Sequence, residues 1–242
     1  MGKIGFAGGK VGMVGPVAPP VDVLASELSV GSSVYLLENG TAVEYLVVNQ
    51  GIPAGSSLYD SSCNGTWLLR KDIHSKRQWG TDNSYYKSLV HEWLNEDFVG
   101  MFDTTTKAAI KQVKIPYLYT GGGSLESGAN GVSTKAFLLG GYEVGFTEAA
   151  YYGAIWEDGA CLEYFSGCSP DGADAKRIGY LNGTANIWWL RTPYYDGTKY
   201  QWMVGTTGSY ANTGVGNTHG VRPALILNSS ARFDAESMIL KG

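Results

Sequence analysis

The chain has 242 residues, a formal net charge of −4 and 17 % charged residues, against 44 % hydrophobic and 12 % aromatic. It contains no Lys/Arg run to neutralise phosphates, which argues against nucleic acid as a partner, and no apolar stretch approaches the ~20 residues that span a bilayer. Gly accounts for 34 residues and Tyr for 16, a balance that fits a loop-rich fold with large side chains over irregular backbone and does not fit a helical bundle.

Residues 1–20, MGKIGFAGGKVGMVGPVAPP, are broken by Gly and Pro and carry almost no charge. They read either as a disordered arm or as an arm that orders against a partner or its own copies, since Ile4, Phe6, Val11, Met13 and Val14 gain from burial. The glycines interrupt any secretory h-region, so no signal peptide is expected. Residues 21–242 read as one domain.

The domain opens with a short helix or turn over VDVLASELSV. A hairpin follows in SVYLLENGTAVEYLVVNQ, joined at Asn39-Gly40, where both residues accept positive φ. TWLLR, 66–70, reads as a strand. The spacing of Leu89, Trp93, Leu94 and Phe98 predicts an amphipathic helix, with Ser84 as its cap. A second helix is expected from a cap at Asp103 to near Val113. TGGGSLESGANGVST reads as a flexible loop, and KAFLLGGYEVGF as a strand that breaks at Gly140-Gly141. The middle third has no sustained period and reads as long loops with short strands or turns. Cys63, Cys161 and Cys168 are an odd set; Cys161 and Cys168 either pair across a turn or stay free.

The end of the chain carries the strongest signal. Trp188–Thr192 and YQWMV (200–204) read as strands, Gly205–Gly208 as a turn, and Val221–Leu227 as a final strand in which Pro223 marks an edge or bulge. Between the outer strands, Tyr194 to His219 contains no Leu, Ile or Phe, but five Gly, five Thr and four Tyr. Tyr supplies rigid amphipathic area at low rotamer cost, and Ser, Gly and Asn supply adaptable hydrogen bonding, as in antibody paratopes. The candidate ligand-binding residues are therefore Tyr194, Tyr195, Tyr200, Trp202 and Tyr210 as anchors, with Asp196, Lys199, Thr207, Ser209, Asn212, Asn217 and His219 as polar contacts. An ordinary Gly-rich surface loop is the alternative.

NIWWLRTP, the polar tract and GVRPALIL together resemble the C-terminal part of the C-type-lectin-fold variable proteins of diversity-generating retroelements. GTWLLRKDI, VHEWLN, AIKQVKIPY, FLLGGYEVG, YFSG and KRIGYLNGTA resemble the DUF6273-type branch of that family, so the likeness runs over roughly 30–228. The resemblance implies an α+β, C-type-lectin-like fold related to the formylglycine-generating enzymes, with short twisted antiparallel sheets, two helices and many long loops. It also implies that the 188–222 segment is rewritten at adenines by a reverse transcriptase. Tyr194, Tyr195, Asp196, Gly197, Gly205, Thr207, Ser209, Ala211, Asn212, Thr213, Gly214, Asn217 and His219 are reachable from such codons. Trp188, Trp189, Leu190, Arg191, Trp202, Gly220, Arg222 and Pro223 would be framework. The function implied is binding of a host-surface or cell-surface protein or glycan, from a phage tail or a bacterial surface, with residues 1–20 attaching the domain to the virion or to sister chains in a homotrimer.

Enzymatic signatures are weak. His91-Glu92 lacks the second His at zincin spacing, and residues 188–242 contain no Cys where formylglycine-generating enzymes carry a cysteine pair. No P-loop or G-x-S-x-G elbow occurs. Glu157-Asp158 read as loop charges. Asp171 and Asp174 are a poor calcium set, so no metal and no cofactor is expected. An enzyme on the related scaffold and a purely structural virion component are the alternatives.

Overall fold

The structure, a computed structural model, describes residues 1–2, 22–120, 123–147, 155–195 and 197–241. The expectations for the N-terminal arm, beyond Met1 and Gly2, and for Asp196 fall outside those residues. The architecture is α+β: two five-stranded sheets, four two-stranded ones, and two short α-helices among the described residues.

The first large sheet runs in the order Ala136–Phe137, Ala224–Leu227, Thr66–Arg70, Thr41–Gln50, Ser33–Glu38, with every pair antiparallel. Its outer hairpin turns at Asn39 (φ 48°) and Gly40 (φ 79°), the two positive φ values that a two-residue turn needs to match strand twist. A second Asn-Gly hairpin at Asn182-Gly183 joins Gly179–Leu181 to Thr184–Asn186. Trp67 anchors this half of the core. Its ring meets Tyr59 and Phe137 edge-on at 5.5 Å each, and its indole N–H donates to the Gly51 and Cys63 carbonyls.

The second large sheet runs Tyr210–Gly214, Tyr200–Val204, Trp188–Pro193, Thr218–Val221, Ser75–Gln78. It is antiparallel except where Trp188–Pro193 meets Thr218–Val221 in parallel, a departure from the all-antiparallel expectation. The two sheets share a corner. The expected single strand Val221–Leu227 is two strands, because at Arg222-Pro223 the chain leaves the second sheet for the first. Its neighbour does the same between Arg70 and Ser75. Pro223 has no N–H for a ladder, but its carbonyl accepts from Arg70 N at 2.8 Å, and His74 N donates to Val221 O at 2.9 Å. Both strands therefore turn the corner together.

The helical segment begins at Leu89 and not after Ser84. Ser88 Oγ accepts the His91 amide at 3.0 Å, and Tyr85–Lys87 forms a separate 3₁₀ turn. One α-helical turn, Leu89–Trp93, passes into a π turn, Leu94–Phe98. Trp93, Leu94 and Phe98 are buried as the periodicity requires, whereas Leu89, first in the helix, is exposed. The second helix is capped by Asp103, whose carboxylate accepts from Thr106 N at 2.7 Å. It stops at Ala109, and Val113–Ile115 is already a strand paired with Val132–Thr134. All three cysteines are free thiols, so Cys161 and Cys168 are unpaired. No described helix is long and apolar enough to cross a membrane.

Candidate functional site

Register divides the tract between two faces, because directly opposed residues on neighbouring strands project to the same side. The pairs Tyr200↔Gly214, Trp202↔Asn212 and Val204↔Tyr210 set Tyr200, Trp202, Asn212 and Tyr210 on one face. Gln201↔Thr213 and Met203↔Ala211 belong to the other. Trp189 pairs with Met203, and its ring lies 4.9 Å from His219. His219 is therefore on the face opposite the tyrosines. Its half-buried imidazole is pushed below the usual histidine range by burial and then by Lys76.

The first face carries a continuous row of rings. Tyr194 stands 4.8 Å from Tyr195, 6.0 Å from Tyr200 and 4.9 Å from Trp202. Trp202 continues to Tyr210 at 5.8 Å, and Tyr210 meets Phe146 edge-on at 6.0 Å. Exposure separates the members: Tyr200 is 49 % and Tyr195 37 % accessible, whereas Trp202 is 0 %. Trp202 is thus not an anchor for a ligand. It is the floor on which Tyr194 and Tyr210, both half-buried, rest.

Four polar candidates, Thr207 and Ser209 on one side and Lys199 and Asn217 on the other, lie at the two ends of the Tyr200–Val204/Tyr210–Gly214 hairpin, roughly 14 Å apart by strand rise. Thr207 and Ser209 share a hydroxyl contact of 3.1 Å in one turn. At the other end, Asn217 donates to Thr213 Oγ1 at 2.7 Å and Lys199 Nζ to the Thr81 carbonyl at 3.0 Å. The structure therefore lines Tyr194, Tyr195, Tyr200, Asn212 and Tyr210 along one face, with Tyr200 at one end of the hairpin and Tyr210 at the other. Thr207 and Ser209 lie in the turn beside Tyr210, Lys199 and Asn217 lie at the Tyr200 end, and His219 is on the opposite face.

Residues that composition did not flag hold this segment in place. Asn83, fully buried, donates its amide to the carbonyls of Tyr194 (3.3 Å), Gly197 (3.0 Å) and Tyr200 (2.9 Å). Gln201, also fully buried, donates to Leu190, Arg191 and Thr192 carbonyls across the bulge between Trp189 and Pro193. Arg177 donates to the carbonyls of Val144, Gly172 and Gly208 and lies 3.8 Å over the Phe146 ring. A Cβ on Gly208 would collide with the Asp174 carbonyl, and φ there is +78°, so only glycine fits that turn.

Behind the strand is a buried ionic cluster. Arg191 and Glu143 pair at 2.8 Å with both side chains fully buried. Tyr59 OH and Gly140 N also donate to Glu143, and Thr192 Oγ1 donates to Asp158 Oδ2 at 2.8 Å. Asp158, read from the sequence as a loop charge, is wholly enclosed. Burial, and then the Glu143 charge, pushes its carboxyl up to about 6 although Arg191 pulls the other way. These acids close on Arg191 and do not face each other across an open cleft. One surface cavity, about 440 Å³, is lined by Asn49, Gln50, Ile52, Cys161 and Glu163, and a smaller one, about 240 Å³, by Arg70, Lys71, Asp72 and His74 among others. The cations of the smaller one are engaged, Arg70 with Glu38 and Lys71 with Glu44. Asp174 caps the 175–177 turn, and Asp171 accepts from Ser169. No group of three metal-ligating side chains occurs among the described residues.

Residues 64–229, more than half of the chain, match a domain family of unknown function, DUF6273. The chain belongs to the DUF6273 family. Neither the comparison with curated proteins nor that with solved structures finds a match. The DUF6273 region takes in the whole second sheet, the Asn83 and Arg177 contacts, and the Arg191–Glu143–Asp158 cluster. The Ser33–Glu38/Thr41–Gln50 hairpin lies outside it.

Proposed function

We propose that this DUF6273 protein is a non-enzymatic binding protein of C-type-lectin-like fold. Its tract 194–219 would be exchanged by a retroelement to recognise a protein or glycan on a host or other cell surface. Display on a phage tail or a bacterial surface, trimerisation, and attachment through residues 1–20 belong to the same proposal. One observation supports it above the rest: within a single strand, Tyr200 is half exposed while Gln201, Trp202, Met203 and Val204 are buried. Side chains that can reach a ligand are thereby separated from side chains that hold the sheet. Rigid exposed tyrosines beside small polar residues have the chemistry of adaptable recognition.

The neighbouring DNA provides the test. A reverse-transcriptase gene with a near-copy of the 188–222 coding segment, differing at adenines, is expected. Sequencing of a growing population should show replacements at Tyr194, Tyr195 and Asn212 and none at Gln201, Trp202 or Gly208. A uniform spread of changes over buried and exposed positions would sink the reading.

A further inference from the structure

The loop 194–200 is bonded at its backbone from outside itself. Besides the three carbonyls that the Asn83 amide reaches, the Asn83 backbone N–H donates to Thr198 O at 2.9 Å. One fully buried residue therefore engages four of the seven loop residues, 111–117 positions downstream for the side-chain bonds, and every one of these contacts is to main chain. Among the described residues, Tyr194 N also donates to Tyr200 O at 3.3 Å, and Val215 N donates to Lys199 O at 2.9 Å. Two of its rings, Tyr195 and Tyr200, project outward. Buried carbonyls need partners, and a carboxamide N–H₂ offers two protons to share among them.

We propose that Asn83 is the positioning residue of the tyrosine loop, fixing its backbone at Tyr194, Gly197, Thr198 and Tyr200 whatever side chains the loop carries. This rests on the reading of 194–219 as a recognition face, and it says how that face keeps its shape while its residues change. A loop held through its own side chains would need each replacement to repack. A loop held by carbonyls does not, because every residue type supplies the same acceptor. The binding surface would then be pre-ordered, which lowers the entropic cost of docking a partner.

The test needs no ligand and uses the full chain in two variants. Asn83→Ala removes the amide. Tyr194→Ser/Tyr195→Ala/Thr198→Ala keeps Asn83 and strips the loop. Amide exchange is followed by NMR at Tyr194 and Val215, which close the two ends of the loop, and at Leu68 and Leu225 in the other sheet as references. Trypsin cleavage after Lys199 is followed in parallel. In Asn83→Ala, exchange at Tyr194 and Val215 should rise at least about tenfold relative to the references, with new cleavage at Lys199. In the stripped loop, the same ratio should stay within about threefold of the parent. An equal rise at loop and reference amides in Asn83→Ala would mean only global destabilisation and would overturn the proposal. Loss of protection in the stripped loop would overturn it too, since side-chain packing would then be what holds the backbone. If Asn83→Ala does not fold, the stripped loop still decides. Failure of the recognition reading would appear in the neighbouring DNA and leave these exchange ratios untouched.

Discussion

The Tyr194 ring lies 4.9 Å from that of Trp202, and the two belong to different layers: Trp202 is wholly enclosed, whereas Tyr194 is partly open to solvent. The same boundary runs along the strand, where Tyr200 projects outward and Gln201 turns its amide to three carbonyls behind. Folding and recognition can thus be separated residue by residue in a segment that composition presents as uniform.

A denaturant series checks that separation. Tyr195→Ala and Tyr200→Ala should each shift stability by no more than about 0.5–1 kcal/mol, as exposed positions do. Trp202→Ala should cost about 3–5 kcal/mol, because it opens a cavity beneath Tyr194 and Tyr210. Trp188→Ala and Trp189→Ala, both at 0 % exposure, should behave like Trp202→Ala. If Tyr195→Ala and Trp202→Ala prove equally costly, the two layers are one.

Glycines in the second sheet region should differ by surroundings more than by φ. Gly208→Ala meets the Asp174 carbonyl, while a Cβ on Gly197 (φ +74°) meets nothing within 4 Å. Gly197→Ala should cost about 1 kcal/mol for its positive φ alone. Gly208→Ala should cost more than about 3 kcal/mol, since backbone must move. Thermal melts of the two variants provide the comparison.

Local chemistry in the sequence was enough for some elements. Asn39-Gly40 set one hairpin, Asp103 one helix start, and the 200–204 strand came out at its observed limits, because each depends on neighbours in the chain. What depended on distant residues was not legible. Ser75–Gln78, SKRQ, is a strand only because Thr218–Val221 pairs with it. Pro223 was readable as a break, yet the passage between sheets follows from Arg70 and His74 bonding on either side of it. Trp202 as an anchor failed for a related reason: aromatic content marks a face as sticky but not which rings form its floor. Asn83 has no pattern at all in TDNSYYK, since its partners lie more than a hundred residues away.

The Arg191–Glu143 pair should be costly to break from either side. Arg191→Leu leaves the enclosed Glu143 carboxyl without its counter-ion, still taking bonds from Tyr59 and Gly140 N. Glu143→Gln leaves the guanidinium unpaired. Each should lose about 3–5 kcal/mol, as expected when one member of a buried ion pair is removed. The double change Arg191→Leu/Glu143→Leu should be less damaging than the sum of its parts. Urea midpoints of the three variants test this, and additive losses would show that the pair is not coupled.

Two buried groups should shape the pH dependence in opposite directions. Asp158 titrates near 6 in the folded chain, raised from 3.8 by burial; the folded state holds its proton more tightly, so its contribution is full below about 4 and is lost as pH rises through 6. His91, half-buried beside Tyr85, is lowered from 6.5 to about 4 by burial; its contribution is full above 6.5 and is lost as pH falls toward 4. At about 1.4 kcal/mol for each pH unit between folded and unfolded values, each group can contribute up to about 3 kcal/mol, so the two slopes largely cancel between pH 4 and 6.5. Asp158→Asn should expose the His91 slope, with stability rising from pH 4 to 6.5, and should not weaken the protein at pH 8. His91→Gln should expose the opposite slope, with stability falling over the same interval. Urea titrations of the parent and both variants at half-unit steps will show this crossing. Identical pH profiles in all three proteins would mean that neither group changes its proton affinity on folding.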